Sequence, residues 1–211
     1  MAKQHISNMK IICIGRNYLA HIAELDRDLP YEPLFFMKPD TALLPLGMPF
    51  PYPDFSTKVH YETELVVRIC KQGSCIDEKM ACHYYDAITV GIDFTARDVQ
   101  QRCIEKGHPW EIAKAFDYSA PVGEFKFLGN LKNPDDIHFG MKLNGQWAQQ
   151  GHSTDMIFGF DRIVSHVSRY VTLKERDLIF TGTPQGVGEV HQGDKLELFL
   201  EDEPVLCFNV E

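Results

Sequence analysis

Residues 59–69 read Val59-His60-Tyr61-Glu62-Thr63-Glu64-Leu65-Val66-Val67-Arg68-Ile69, and the fold class turns on this stretch. β-branched and aromatic residues dominate it, and Tyr61, Thr63, Leu65, Val67 and Ile69 alternate along one face of an extended strand. Glu62 and Glu64 then share the other face, their Cα atoms about 6.6 Å apart at a rise of about 3.3 Å per residue. Two bare carboxylates aimed together repel each other, and burying both is costly. A hard divalent cation between them removes both problems with oxygen ligands alone. The competing reading is a half-exposed antiparallel strand with a solvated acidic face. The strand by itself supports both.

The chain around this strand has 211 residues, enough for one substantial core, and no linker or repeat divides it. It is therefore expected to be one β-rich domain over residues 1–211, of α+β class and predominantly β. Its composition, 44% apolar and 24% charged, is that of an ordinary globular protein. A net charge of −9 argues against a nucleic-acid partner. No stretch approaches a membrane span, and residues 1–7 lack the apolar core of a signal peptide, so no membrane is expected as a partner. The cysteines, at 13, 70, 75, 82, 103 and 207, form no CxxC pair. They read as reduced thiols of a cytoplasmic compartment, with Cys13 and Cys70 in apolar runs and expected in the core.

Upstream, residues 9–14 form an apolar run that predicts a buried strand, broken at Gly15. A short helix is expected over residues 16–25, with His21 and Glu24 at i and i+3 on one face. A carboxylate beside an imidazole fixes its tautomer and suits it to act as a base, although such a pair also occurs on any surface helix. Residues 34–37 form a second apolar run, and four prolines between 44 and 54 argue against regular structure there.

Downstream, residues 77–85 predict a short helix with Met80 and Tyr84 at helical spacing, and residues 87–94 predict a strand with Asp93 near its end. Thr95 or Asp98 would cap the helix that follows and carries Arg97, Gln100 and Arg102. Asp93 is placed either as a third metal ligand or as a local turn residue. Lys114 stands between small and aromatic residues, either reaching to water or holding an anion. Residues 137–150 form a hairpin about Asn144-Gly145, the preferred type I′ pair. An apolar stripe through Met156, Ile157, Phe160, Ile163, Val164, Val167 and Val171 predicts an amphipathic helix over 154–170. A strand at 177–181 runs into Gly182-Thr183-Pro184-Gln185-Gly186-Val187-Gly188, whose glycines let backbone N–H groups approach an anion closely.

Six segments in this order resemble the fumarylacetoacetate hydrolase family over nearly the whole chain. They are Gly15-Arg16-Asn17-Tyr18, Phe36-Met37-Lys38-Pro39, Tyr61-Glu62-Thr63-Glu64-Leu65, Gly91-Ile92-Asp93-Phe94-Thr95-Ala96-Arg97-Asp98, Ala113-Lys114-Ala115-Phe116-Asp117 and the glycine-rich 180–188 run. The resemblance implies a mixed β-sandwich roll with a short lid helix, a divalent metal (usually Mg²⁺, with Mn²⁺ an alternative) and a homodimer. The chain has only the catalytic-domain length, which places it nearer the small acylpyruvate hydrolase and oxaloacetate decarboxylase or tautomerase branch. Position by position, Glu62, Glu64 and Asp93 match the metal carboxylates, and Lys114 matches a lysine that faces the substrate. Gln100 matches a residue that positions water or substrate, and Thr183 a contact to the substrate carboxylate. Arg16 and Lys38 are basic positions that offset an acidic ligand, and His21 with Glu24 matches the water-activating dyad.

The implied chemistry is metal-assisted. Three carboxylates leave about three octahedral positions, where a small 2-oxo acid can chelate. The metal stabilises the enolate released when a bond to C3 breaks. With His21 activating water the reaction is hydrolysis of an acylpyruvate to pyruvate and an acid. Decarboxylation or tautomerisation of oxaloacetate, or isomerisation and decarboxylation of 2-oxo acids from aromatic catabolism, uses the same enolate. The non-enzymatic alternative is a β module with a structural metal, which would have no need of Lys114, Gln100 and Thr183 nearby.

Overall fold

The computed structural model describes residues 9–24 and 29–211, with the backbone alone for 22–24. The fold is α+β and predominantly β, as the sequence implies. A six-stranded mixed sheet is its frame. In order across the sheet run Leu34–Lys38, Ile11–Gly15, Leu178–Phe180, Thr63–Ile69, Tyr85–Ile92 and Lys126–Phe127. The Ile11–Gly15 strand lies parallel to Leu178–Phe180, while the other neighbours are antiparallel. A four-stranded antiparallel sheet is built from Gln146–His152, His138–Leu143, Lys195–Leu200 and Glu203–Asn209. Leu65, Val67, Ile69, Ile88 and Val90 of the first sheet pack with Phe139, Met141, Leu196 and Leu198 of the second in one core.

The decisive stretch is two strands rather than one. Val59–Tyr61 pairs with Thr95–Ala96 and Gly188–Glu189, whereas Thr63–Ile69 joins the six-stranded sheet. The change of sheet falls at Glu62, whose carbonyl accepts from the Asp93 N–H at 2.8 Å. Thr63 N–H donates instead to the buried side chain of Gln149, at 2.9 Å. Leu65 and Val67 face the main core, and Val66 faces a smaller cluster with Cys13 and Phe180. Both sides of the strand are therefore covered, and the solvated acidic face is excluded: Glu62 is 7% and Glu64 2% exposed.

Several expected elements are shorter or differently made. The helix expected over 154–170 is α-helical only at Phe160–Ser168. Ahead of it, Tyr18 bridges Met156, Ile157 N–H bonds the Asn17 carbonyl at 2.8 Å, and Phe158 N–H bonds Asn17 Oδ1 at 2.8 Å. These long-range partners compete successfully for backbone groups that periodicity alone would give to a helix. The segment near 77–85 is a 3₁₀ helix, Glu78–His83, with Met80 exposed. The helix Arg97–Lys106 starts after Ala96, and neither Thr95 nor Asp98 is its cap. Asp98 accepts instead from Ser56 Oγ at 2.6 Å, Thr57 N–H at 3.2 Å and Val99 N–H at 2.9 Å. The first helix begins at Leu19, because Tyr18 is tied down by its bridge. Cys13 is fully buried, but Cys70 lies just past the strand end and is half-buried. The hairpin forms as expected, Asn144 and Gly145 taking φ of 52° and 81°.

Candidate active site

The break at Glu62 and the strand end before Asp93 bring three acids together. Glu62, Glu64 and Asp93 each place a carboxylate oxygen within 4.8 Å of the others, all buried. Glu64 stands on Thr63–Ile69 opposite Gly91, and its Oε2 accepts from Gly182 N–H at 2.7 Å. Gly182 holds φ +100°, and a Cβ there would meet Asn17 Cβ at 2.7 Å, so only glycine makes this approach without a shift.

Cations answer the acids. Lys114 Nζ lies 2.8 Å from Glu62 Oε2 and 2.6 Å from Asp93 Oδ2. Lys38 Nζ lies 2.7 Å from Asp93 Oδ1 and donates to Ser119 Oγ at 2.9 Å and to the Ser119 carbonyl at 3.0 Å. Arg97 reaches Glu62 Oε1 at 2.6 Å and Gln100 Oε1 at 2.7 Å. Burial drives the Glu62 carboxyl up, but Lys114 and Arg97 outweigh it and hold the group well below the usual carboxylate range. Glu64 goes the other way: burial, then the charges of Asp93 and Glu62, push it well up, and the Gly182 bond offsets this only in part. For Lys114, burial is outweighed by Asp93 and Glu62, which raise its pKa and keep it an ammonium ion.

A divalent metal fits this donor set. The cluster offers only carboxylate oxygens, the ligands of Mg²⁺ and Mn²⁺, and includes no Cys or His that would favour zinc. The Lys114 ammonium between two of the carboxylates marks the place as one that takes positive charge.

The acids open into a cavity of about 220 Å³ whose walls include Arg16, His21, Gln100, Lys114 and Thr183. Phe36, Ile104 and Trp110 supply its apolar side. Lys38 is not part of the wall; it sits behind Asp93, paired with that carboxylate. Arg16 is held at φ 59°, the left-handed region rarely occupied by a side-chain-bearing residue. Thr183 is positioned by Gln149, whose Nε2 donates to Thr183 Oγ1 at 3.0 Å and to the Pro184 carbonyl at 3.0 Å. His21 is buried on the cavity wall, while the side chain of Glu24 lies outside the described residues.

A model of the fumarylacetoacetate (FAA) hydrolase C-terminal domain matches residues 10–211. The chain belongs to the fumarylacetoacetate hydrolase family. Within the family it is 39% identical over 201 residues to the mitochondrial oxaloacetate tautomerase FAHD1 of Homo sapiens, covering 95% of this chain and 91% of that one. The crystal structure of fumarylpyruvate hydrolase from Pseudomonas aeruginosa, in complex with Mn²⁺ and pyruvate, superposes with a TM-score of 0.89. That match has 36% identity and covers 98% of this chain and 93% of the other. The 5-carboxymethyl-2-hydroxymuconate delta-isomerase of Mycobacterium smegmatis has the same fold at a TM-score of 0.83 and 31% identity, over 95% of this chain and 78% of that one. Family membership and fold thus agree with the motifs read from the sequence.

Two positioning residues escaped the sequence reading. Arg97 is legible as a helix and motif residue without a role, although its i, i+3 spacing to Gln100 is the signal that pairs them. Gln149 gave no signal at all, since its partners Thr63 and Thr183 are 86 and 34 residues away.

Proposed function

We propose that this protein is a divalent-metal-dependent enzyme that hydrolyses the C–C bond of a small acylpyruvate, such as acetylpyruvate or fumarylpyruvate, to pyruvate and a carboxylic acid. The observation that carries this reading is the joining of three buried carboxylates to Lys114 in one cavity that also presents Arg16, Thr183 and His21. A structural metal cage would have no use for those four side chains. The kinship with a fumarylpyruvate hydrolase bound to Mn²⁺ and pyruvate supports the same substrate class.

Mg²⁺ or Mn²⁺ held by Glu62, Glu64 and Asp93 would supply Lewis-acid stabilisation of negative charge on a 2-oxo acid. The chain's own residues divide the remaining work. Arg16 and Thr183 bind the substrate carboxylate, and Gln149 keeps the Thr183 hydroxyl in place. His21 takes a proton from the attacking water, with Glu24 as its partner, and Gln100, fixed by Arg97, orients that water. The water oxygen bonds to the distal acyl carbon and the bond to C3 breaks; its electron pair passes to the pyruvate fragment as an enolate, whose charge the Lys114 ammonium holds until the proton taken by His21 is returned to C3. Phe36, Ile104 and Trp110 keep bulk water from the reacting end.

A second reading, keto–enol tautomerisation or decarboxylation of oxaloacetate, is favoured by the 39% identity to the human tautomerase. It uses the same carboxylates and Lys114 without an attacking water. The assembly proposed is one catalytic unit over residues 1–211, supported by a core that draws on residues from Ile12 to Val210, acting as a homodimer. A cytoplasmic, reducing location is supported by the six free cysteines. No helix among the described residues is long and apolar enough to cross a membrane.

The test is turnover of acetylpyruvate, fumarylpyruvate and oxaloacetate by EDTA-treated protein before and after Mg²⁺ or Mn²⁺ is restored. Metal-dependent release of pyruvate from an acylpyruvate is expected. Turnover of oxaloacetate alone moves the assignment to the second reading, and metal-dependent melting without any turnover overturns both.

A further inference from the structure

Away from the acidic cavity, the base of the 138–152 hairpin gathers two imidazoles and a carboxylate. His138 opens one strand and His152 closes the other, and the ladder sets them directly opposite each other. Their rings stand 4.0 Å apart between centroids, tilted by 51°. Asp136 reaches both, its Oδ1 3.3 Å from His152 Nδ1 and its Oδ2 3.5 Å from His138 Nε2. One donor atom from each of the three falls within 4.8 Å of the other two.

We propose that Asp136, His138 and His152 form a second metal site, selective for a borderline transition-metal ion such as Zn²⁺ and separate from the carboxylate triad. In a tetrahedral zinc site with bonds of about 2.0–2.1 Å, neighbouring donor atoms stand about 3.3 Å apart. The His152 Nδ1–Asp136 Oδ1 separation of 3.3 Å already matches that edge, and His138 Nε2 stands 3.5 Å from the other oxygen of the same carboxylate. Two imidazole nitrogens and one carboxylate oxygen are zinc-type ligands, whereas Mg²⁺ takes oxygen and keeps its waters.

The ligands are preset by backbone. Ile137 N–H bonds Ser153 Oγ at 2.9 Å, and Ser153 N–H bonds the Ile137 carbonyl at 2.9 Å, which clamps the residues between and beside the three ligands. Thr154 Oγ1 donates to Asp136 Oδ1 at 3.2 Å, the type of supporting bond that orients a ligating carboxylate. Glu201, whose Oε1 accepts from His138 N–H at 3.3 Å, adds negative charge beside the site. The side chains of His138 and His152 are 54% and 46% exposed, so an ion has a path in and open positions for water. The strand that ends at His152 also carries Gln149, so an ion here would brace the element that positions Thr183.

The experiment uses the untagged full chain with the triad kept saturated by Mg²⁺. Zn²⁺ is followed by calorimetry, and Co²⁺ by its visible absorption. One ion per chain is expected to bind in the presence of excess Mg²⁺. His138→Gln and His152→Gln should each weaken that binding by at least about 100-fold, since even loss of a supporting bond costs about 10–100-fold. Both variants should keep the far-UV circular dichroism and the Mg²⁺-dependent turnover of the parent. Absence of Zn²⁺ binding over the Mg²⁺-loaded protein, or Zn²⁺ binding that both variants retain, overturns the site.

Discussion

Lys114 Nζ stands 2.6 Å from Asp93 Oδ2, and both side chains are almost fully excluded from water. With Glu62 Oε2 at 2.8 Å from the same ammonium, the pair is a buried three-point contact between α-helix, strand end and sheet break. An ion pair of this type contributes little net stability while intact, because desolvation offsets the attraction, yet removing one partner strands the other.

Lys114→Met should therefore destabilise the metal-free protein, but by less than the usual cost of a fully orphaned buried charge, about 3–5 kcal/mol, because Arg97 still holds Glu62 and Lys38 still holds Asp93. Saturating Mg²⁺ should restore part of that loss, because the ion replaces the missing positive charge. Urea melts with EDTA and with Mg²⁺ check both halves. A variant as stable as the parent in EDTA would mean that the pair does not hold the site together.

Glu64→Gln should separate charge from geometry. The amide oxygen can still accept the Gly182 N–H that Glu64 accepts at 2.7 Å. Because the folded-state pKa of Glu64 is raised, its contribution to stability is present at low pH and lost as pH rises through that value. The metal-free parent should accordingly lose stability relative to Glu64→Gln as pH rises above the ordinary carboxylate range of about 4.3. Calorimetric titration should show weaker Mg²⁺ binding by the variant. Parallel pH dependence in the two proteins would remove the like-charge argument.

His21→Ala tests the division between hydrolysis and enolate chemistry. Loss of a general base should cut acylpyruvate hydrolysis by roughly 10²–10⁴-fold. Oxaloacetate decarboxylation, which needs no attacking water, should fall far less. Equal losses in the two assays would reduce His21 to a wall of the cavity.

His60 should give the protein an acid-side weakness. Neither ring nitrogen has a hydrogen-bond partner among the described residues, and burial, then Arg97 and Lys58, lower its pKa to about 4. The unfolded chain, with an imidazole pKa of about 6.5, binds more protons over the interval between, so stability falls as pH drops from about 6.5 to about 4. After allowance for its half-exposed position, the loss attributable to this residue is about 1–2 kcal/mol. His60→Leu should flatten the stability profile over that range, measured by denaturant melts at fixed ionic strength. An unchanged slope would assign the acid sensitivity elsewhere.

Sequence alone determined the strand character of residues 63–69, the Asn144-Gly145 hairpin and the ordered set of family motifs, because each rests on alternation, turn chemistry or contiguous residues. It also named Glu62, Glu64, Asp93 and Lys114, which the fold draws from separate segments into one cluster. Only the tertiary structure decided that residues 59–69 change sheets at Glu62, since the competing partners, the Asp93 N–H and the Gln149 side chain, are distant in the chain. The same holds for the shortened helix at 160–168, where Asn17 claims backbone groups 140 residues onward. It holds equally for Lys38, a basic motif residue in the sequence and a buried support behind Asp93 in the fold. Local patterns specify which conformation a segment prefers. Which polar partner a buried group finally meets depends on chain closure over long separations, and that is settled only when the sheets pack.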